Sequence, residues 1–354
     1  MLRTVYLTPP SISDAHIEKK VVCIRSHRER IFCVSSELKN DKLLCHLYGH
    51  GGAGWTFLFG SVQKAVQELE HHLTQNPSYK NKPICVVGAG CFGLLSAVTL
   101  ARLGYEVRIV AKELDNLPSD RAAGFFFPRP RKCSNPEERA IFESVGMASY
   151  SAYLEIATGM HPFIKNASKL MPAYYNHEID PGFGLYREQG LIPSPEKVTI
   201  DFGNDKKYDV MEYQTVFINP SEVMSELRRN IQELGISIEI DDVQNLDELP
   251  ESIVFNCAGK SAPIFNNDTR MVPVQGHLIT LKNQPPMDQL QYMINVRVAQ
   301  LDPNNWSRDT LLYYAPKNSG ILGITFIRGQ ADETANADQF DKLLERARRF
   351  FGNK

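Results

Sequence analysis

The stretch that most limits what this chain can fold into is "ICVVGAGCFGLLSAVTLARLGYEVRIV", residues 84–110. An apolar run, a glycine turn, a helical stretch and a second apolar run in that order make a βαβ unit. Gly88, Gly90 and Gly93 form GxGxxG at its centre. The first glycine permits the tight turn, the second lets a pyrophosphate approach the backbone, and the third lets helix and strand pack closely. An anion then sits at the helix N-terminus, where free N–H groups and the helix dipole favour it. The unit therefore predicts a parallel-sheet domain whose glycine turn either binds a dinucleotide or is simply a tight structural turn, the strand–turn–helix context favouring the dinucleotide. One part of the pattern is missing. The acid expected at the end of the second strand gives way to Ala111 and Lys112, with Glu113 just beyond. Either Glu113 reaches the ribose or backbone and water take that place; Lys112 faces either a phosphate or solvent.

With 354 residues and 43% hydrophobic content, the chain is long enough for two domains with their own cores. Lys+Arg 39 against Asp+Glu 41 leaves a net charge of −2, which gives no reason to expect nucleic acid or an anionic membrane as partner. Seven cysteines without a CxxC pair suit a reducing compartment. The first residues, "MLRTVYLTPPSISD", lack a basic-then-apolar signal, and no apolar run approaches the ~18 residues of a membrane span. The expectation is a cytoplasmic protein. No metal-ligand spacing is present.

Residues 1–20 are polar and aperiodic, and read as an arm or a poorly ordered end. "VVCIRSH", "RIFCVSS" and "KLLCHLYGHGG" are β-like, and the apolar spacing from Ser61 to Leu73 is helical. In "FINPSEVMSELRRNIQELG", Asn219 is expected to cap a helix, with Pro220 first inside, Glu222 completing a capping box and Gly235 ending it. "ISIEI" and "SIVFNCAG" read as further strands of the sheet, and the late "RMVPVQGHLITL", "LLYYAP" and "GILGITFI" are β-rich. "DQFDKLLERARRFF" is a helix with acid early and arginine late, as the dipole favours.

Several of these segments together resemble the D-amino-acid oxidase and D-aspartate oxidase family. "VVGAGCFGL" is similar to its fingerprint, "SDRAAGFFFP" to its following flavin loop, and "VFNCAGKSA" with "PVQGH" to a later strand end. "LYYAPKNSGILGIT" resembles its substrate-domain strand pair, "IRSHR" its Arg-x-x-Arg segment, and "YGHGGAGWT" its final glycine-rich loop. The last two close the family's sequence but open this one. Cutting near residue 78 and joining Lys354 to the N-terminal region would restore the family order, so the resemblance implies a circular permutant. It implies an α+β fold: an α/β Rossmann-like FAD-binding domain (21–135 and 225–265, after the arm 1–20) and an antiparallel β-sheet substrate domain (136–224 and 266–354).

The resemblance also implies FAD as cofactor. Hydride transfer from Cα of a D-amino acid to the flavin would leave an imino acid, and molecular oxygen would be reduced to peroxide. Arg25 matches the carboxylate-binding arginine, with Arg28 in support; a bidentate guanidinium suits that task better than lysine. Tyr313 matches a tyrosine that also holds the carboxylate, and Gly52 the carbonyl that takes the amine. FAD contacts are implied at Gly88, Gly90, Cys91, Phe92, Gly93, Lys112, Glu113, Ser119, Gly124, Phe125, Val243, Gly259, Gly51, Gly52, Ala53, Gly54, Trp55 and Thr56. A second family tyrosine is absent: Asp309 stands there, with Trp306 a guess at a substitute. His46 and His50 read as packed loop histidines rather than bases. Arg129, in "PRPRK", either meets an acidic substrate side chain or is solvated. Three readings share these residues: a D-amino-acid oxidase, an oxidase or dehydrogenase of glycine or another small amine, and an FAD-binding protein without turnover. A homodimer is compatible with each.

Overall fold

The computed structural model describes residues 2–176, 179–298, 311–323 and 325–352. Trp306, Asp309 and Lys354 lie outside the described residues. Along the chain, β1 (Arg3–Tyr6), β2 (Ile17–Arg28), β3 (Cys33–Lys39) and β4 (Lys42–Tyr48) lead into α1 (Leu58–Gln75). The βαβ unit follows as β5 (Ile84–Val87), α2 (Cys91–Arg102) and β6 (Val107–Ala111). Next come α3 (Pro118–Arg121), α4 (Pro136–Ala157), β7 (Ser168–Tyr175), α5 (Gly184–Glu188), β8 (Glu196–Asp201), β9 (Lys207–Ile218) and α6 (Pro220–Glu233). Then follow β10 (Ser237–Ile240), β11 (Ile253–Asn256), β12 (Met271–Leu281), β13 (Met293–Arg297), β14 (Leu311–Ala315), β15 (Ile321–Gly323), β16 (Ile327–Arg328) and α7 (Ala337–Phe351).

The strands sort into two sheets. The smaller runs β10-β6-β5-β11-β4-β3, with every neighbouring pair parallel except β3 against β4. Its central strands β5 and β11 are buried at every residue, which explains why "ICVV" and "IVFN" are apolar runs rather than alternating ones. β4 pairs with the far side of β11, in register from Ile253↔Leu43 to Asn256↔His46, so residues from the start of the chain extend the dinucleotide-binding sheet. α1 packs onto it with Leu58, Val62, Ala65, Leu69 and Leu73 buried along one stripe.

The larger, mostly antiparallel sheet runs β1-β8-β9-β7-β13-β14-β15-β12-β16, and β2 also pairs with β12. Two expectations about the N-terminal region are corrected. Residues 1–20 are not a poorly ordered arm: β1 pairs in parallel with β8, and β2 begins at Ile17. Four residues, "RTVY", carry no period that a reader could use, and their partner strand lies far along the sequence. β2 is twelve residues long and joins the larger sheet along β12, instead of sitting with β3 and β4. Consecutive strands thus cross from one sheet to the other. The cap on α6 is also corrected. Asn219 makes no side-chain capping hydrogen bond, and its Oδ1 is buried without a partner; Pro220 and Gly235 do bound the helix region as expected.

Candidate active site

Two glycines set the shape of the nucleotide end. Gly88 has φ +110°, and a Cβ there would lie 2.5 Å from the Cys257 carbonyl oxygen, at the end of neighbouring β11. A Cβ on Gly93 would overlap the Gly88 carbonyl, so α2 sits directly on the turn. The start of α2 carries no acid in its first turn and no side-chain cap from Gly90. Instead, the Cys91 N–H donates to Ser119 Oγ at 3.0 Å, bringing α3 against the fingerprint. A bare glycine cradle at the N-terminus of a twelve-residue helix, free of competing carboxylates, fits an anionic pyrophosphate. At the ends of β6 and β10, Lys112 pairs with Asp242 at 2.6 Å, Glu113 is exposed, and Val243 is partly buried against the sheet. Gly259 lies just past β11 with φ +60°.

The glycine-rich loop from the N-terminal region meets this end of the molecule. Trp55 Nε1 donates to the Ser119 carbonyl at 3.2 Å. Thr56 Oγ1 donates to the Phe125 carbonyl at 3.3 Å and accepts from the Phe127 N–H at 3.1 Å. Gly54 faces the Phe92 ring, close enough that an added Cβ would be in contact at 3.4 Å. Gly51 (φ +61°), Gly52 and Ala53 complete the loop. Gly124 has φ +89° beside the Ile218 carbonyl. The 51–56 loop, the start of α2 and the 119–127 segment, separate in the sequence, therefore meet in space.

Arg25 stands next to this surface. β2 carries it towards Gly276 of β12, where a Cβ would overlap the guanidinium, while an added Cβ on Gly52 would lie 3.2 Å from its Cδ. Nη1 donates to the Thr325 carbonyl at 3.1 Å, and the guanidinium lies 4.6 Å from the Phe326 ring centroid. Arg25 is only 9% exposed, yet Nη2 has no hydrogen-bond partner, and no carboxylate pairs with it among the described residues. Burial lowers its pKa, partly opposed by the neighbouring Cys23 and Tyr313. Tyr313 packs edge-on against Phe125, with ring centroids 5.3 Å apart, so the tyrosine touches the loop after α3. Burial pushes its hydroxyl well above the usual value, so it remains a donor at neutral pH. As the strand alternation requires, Tyr314 turns instead into the second core.

The histidines behave as packed residues. His50 lies between Phe32 and Phe92, with centroids 4.3 and 4.1 Å away, and Nε2 is 2.9 Å from Ser61 Oγ. Burial and then Arg131 hold its pKa well below the usual histidine value. His46 is held between Glu37 and Asn256 at 3.0 and 3.1 Å. Arg28 binds Asp268 at 2.6 Å and the Ile31 carbonyl at 2.9 Å, in support of the loop and away from Arg25's pocket.

Three residues were missed in the sequence. In "PRPRK" the missed residue is Arg131, which donates to the carbonyls of His50 and Arg28; Arg129 is exposed. Thr325 receives Arg25 and is itself held by the His277 N–H and ring at 3.0 and 2.8 Å. Lys317, beside the conspicuous Pro316, is buried. A basic run and a turn lysine both read as solvent-facing, and only long-range packing reveals otherwise.

A fingerprint sheet adjoining a mostly antiparallel sheet is the architecture of a flavin-type oxidoreductase. The chain belongs to the FAD-dependent oxidoreductase (DAO) family, whose model matches residues 83–354. FAD is the cofactor of that family, and the cradle and loops above fit it. Among curated proteins, it is 24% identical over 216 residues to a D-amino-acid oxidase of Streptomyces coelicolor, covering 59% of this chain and 62% of that one. It is 25% identical over 210 residues to a D-amino-acid oxidase of Rubrobacter xylanophilus, covering 56% and 59%. The matches thus span about three-fifths of those relatives' length. Among solved structures it resembles an L-proline dehydrogenase from P. horikoshii, with TM-score 0.53, 13% identity and 77% of each chain covered. That likeness bears on the fold alone. No helix among the described residues is long and apolar enough to cross a membrane.

Proposed function

We propose that the protein oxidises D-amino acids to imino acids, which hydrolyse to 2-oxo acids, with oxygen as the electron acceptor and peroxide as product. The observation that carries this reading is Arg25. A guanidinium buried to 9% exposure, with Nη2 unpartnered and no carboxylate paired with it among the described residues, is costly unless an anionic ligand completes it. A substrate carboxylate does so, with the Tyr313 hydroxyl as second donor and the Gly52 carbonyl available to the amine. FAD, when bound, supplies the two-electron acceptor. The chain's own residues bind and orient: the Gly88–Gly93 cradle holds the pyrophosphate, and Phe125 ties the cofactor loop to Tyr313. His50, neutral and enclosed, takes no proton in this scheme. The test is a peroxide-coupled assay of D- and L-amino acids, glycine and small secondary amines, repeated with an artificial electron acceptor. Turnover confined to D-amino acids with oxygen supports the proposal. Preference for glycine, or turnover only with the artificial acceptor, replaces it with the amine oxidase or dehydrogenase reading.

A circular permutation of the family order accounts for the arrangement. It is supported by the family match beginning at residue 83, by β4 extending the sheet beyond β11, and by α7 lying against the segment before β2. Arg348 donates to the Ile12 carbonyl at 3.1 Å and pairs with Asp14 at 2.7 Å, so the path from α7 to β2 is short.

A further inference from the structure

Lys317 is a buried cation outside the machinery described so far. It sits in the turn between β14, which carries Tyr313, and β15, and is 3% exposed. Its Nζ donates to the Asp120 carbonyl at 2.5 Å and to the Ala122 carbonyl at 2.8 Å. Both acceptors belong to the last turn of α3 and its exit. α3 is a junction. Ser119 meets the start of α2 and Trp55, and Arg121 donates to the Val22 carbonyl of β2 at 3.2 Å. Asp120 is paired with Arg228 of α6 at 3.2 Å. α3 has only four residues and little hydrophobic anchorage of its own, so its position depends on these polar contacts. A buried ammonium is expensive to keep, and a methionine would pack there without that cost. Its presence indicates a task.

We propose that Lys317 is a positioning residue for the cofactor. Its charged ammonium clamps α3 and the following loop to the substrate-anchor hairpin, and this clamp sets the affinity for FAD. The inference rests on Ser119, Gly124 and Phe125 being cofactor contacts, not on the identity of the substrate.

The clamp has a signature that ordinary packing lacks. Burial lowers the Lys317 pKa to about 8, with Asp120 opposing the shift. The other charged groups around α3 are Asp120, Arg121, Arg228 and the Glu333 that pairs with Arg121. Carboxylates and guanidiniums do not change charge between about pH 6 and pH 9.5. The Cys91 thiol on α2 is pushed up to about 11 by burial, and Tyr313 lies higher still. Lys317 alone among these groups loses charge in that window. Charge-assisted hydrogen bonds are present below about pH 8 and become weaker amine–carbonyl bonds above it.

The experiment is titration of the FAD-depleted full chain with FAD, read by flavin fluorescence, from about pH 6 to pH 9.5. Wild type is expected to lose affinity by about fivefold to tenfold across the midpoint, the loss of roughly one charge-assisted hydrogen bond. Lys317→Met is expected to bind about tenfold more weakly at neutral pH and to show no step. Lys317→Arg, whose charge does not titrate, is expected to keep most of the affinity and also lose the step. A wild-type affinity that is flat over the range, a step that persists in Lys317→Arg, or a Lys317→Met protein that binds as wild type each overturns the proposal. The first two results decide the matter even if Lys317→Met does not fold. Gly90→Val, measured alongside, separates the two levels of the argument. If it retains FAD, the cradle assignment is at fault; if it loses FAD while the Lys317 variants bind normally, only the clamp is.

Discussion

Arg25 concentrates the functional argument, and its surroundings make it testable at the scale of single residues. Arg25→Ala is expected to retain FAD and lose about 2–5 kcal/mol of substrate binding, the usual cost of truncating one partner of a buried charge pair. Unaltered kinetics on the best substrate would remove the carboxylate anchor. Arg25→Lys should recover little, because the planar fork over Gly276 is lost. Gly276→Ala is a subtler probe: the added Cβ overlaps the guanidinium, so KM should rise while the flavin spectrum stays that of wild type. A Gly276→Ala enzyme with wild-type KM would mean that the guanidinium is not held where the structure has it. Arg25 and Tyr313 stand out in the sequence because their flanking residues carry recognisable patterns. Arg131, Thr325 and Lys317 do not, because their roles depend on carbonyls far away in the chain, to which a sequence gives no address.

At the scale of elements, legibility followed periodicity. β5, α2, β6 and β11 are short apolar or glycine-punctuated runs whose environment is uniform, and they fall where the pattern put them. α4 gave no such signal. It buries Gly146 and Ser149 along with Tyr150 and Tyr153, and the Ser149 hydroxyl accepts the Gly60 N–H of α1 at 2.8 Å. Small and aromatic residues that weaken a helical reading are what allow the two helices to approach. The Asn219 cap failed although the sequence supplied a good capping residue: its side-chain Oδ1 is buried and meets no N–H of the helix start. The steric argument for α2 gives a direct test. Gly93→Ala drives a methyl into the Gly88 carbonyl, an overpacking cost of about 1–3 kcal/mol. Thermal melting of the FAD-free protein should fall accordingly, and FAD affinity with it. Unchanged melting would show that α2 is not seated on the turn.

For the whole molecule, buried histidines set a lower limit on the pH range. Burial lowers His161 and His27 to about 4, and lowers His50 and His46 as well. The unfolded chain, with ordinary histidines near 6.5, binds these protons first, so stability is complete above about pH 6.5 and declines as pH falls towards 4. The enclosed His161 alone corresponds to roughly 3 kcal/mol at the acid end. Denaturant melts at pH 7 and about pH 4.5 should therefore differ, and His161→Gln should narrow the gap; equal melts would contradict the neutral burial of these rings. The permutation is tested at this scale too. A rearranged chain that starts at Asn81, joins residue 352 to residue 2 through a flexible linker so that β1 is kept, and ends near Gln75 should fold and bind FAD, since lengthening a closure costs little entropy. Failure of that protein to retain flavin would count against the permuted reading.

The crossing of the first strands between the two sheets has a consequence for biosynthesis. Cys23 lies beside Gly276, 253 residues ahead, and His46 beside Asn256, 210 residues ahead. On the ribosome, the segment that bears Arg25 and the glycine loop is therefore made well before its partners and seated late. While translation continues, its strands have neither β12 nor β11 to pair with, and they expose apolar edges of the kind that aggregate or recruit chaperones. Native pairing of such distant partners is slow in proportion to the loop that must close. Assembly of the pocket is then one of the closing events of folding, and a nascent chain released before residue 253 has the glycine fingerprint but no completed sheet on either side of its arginine.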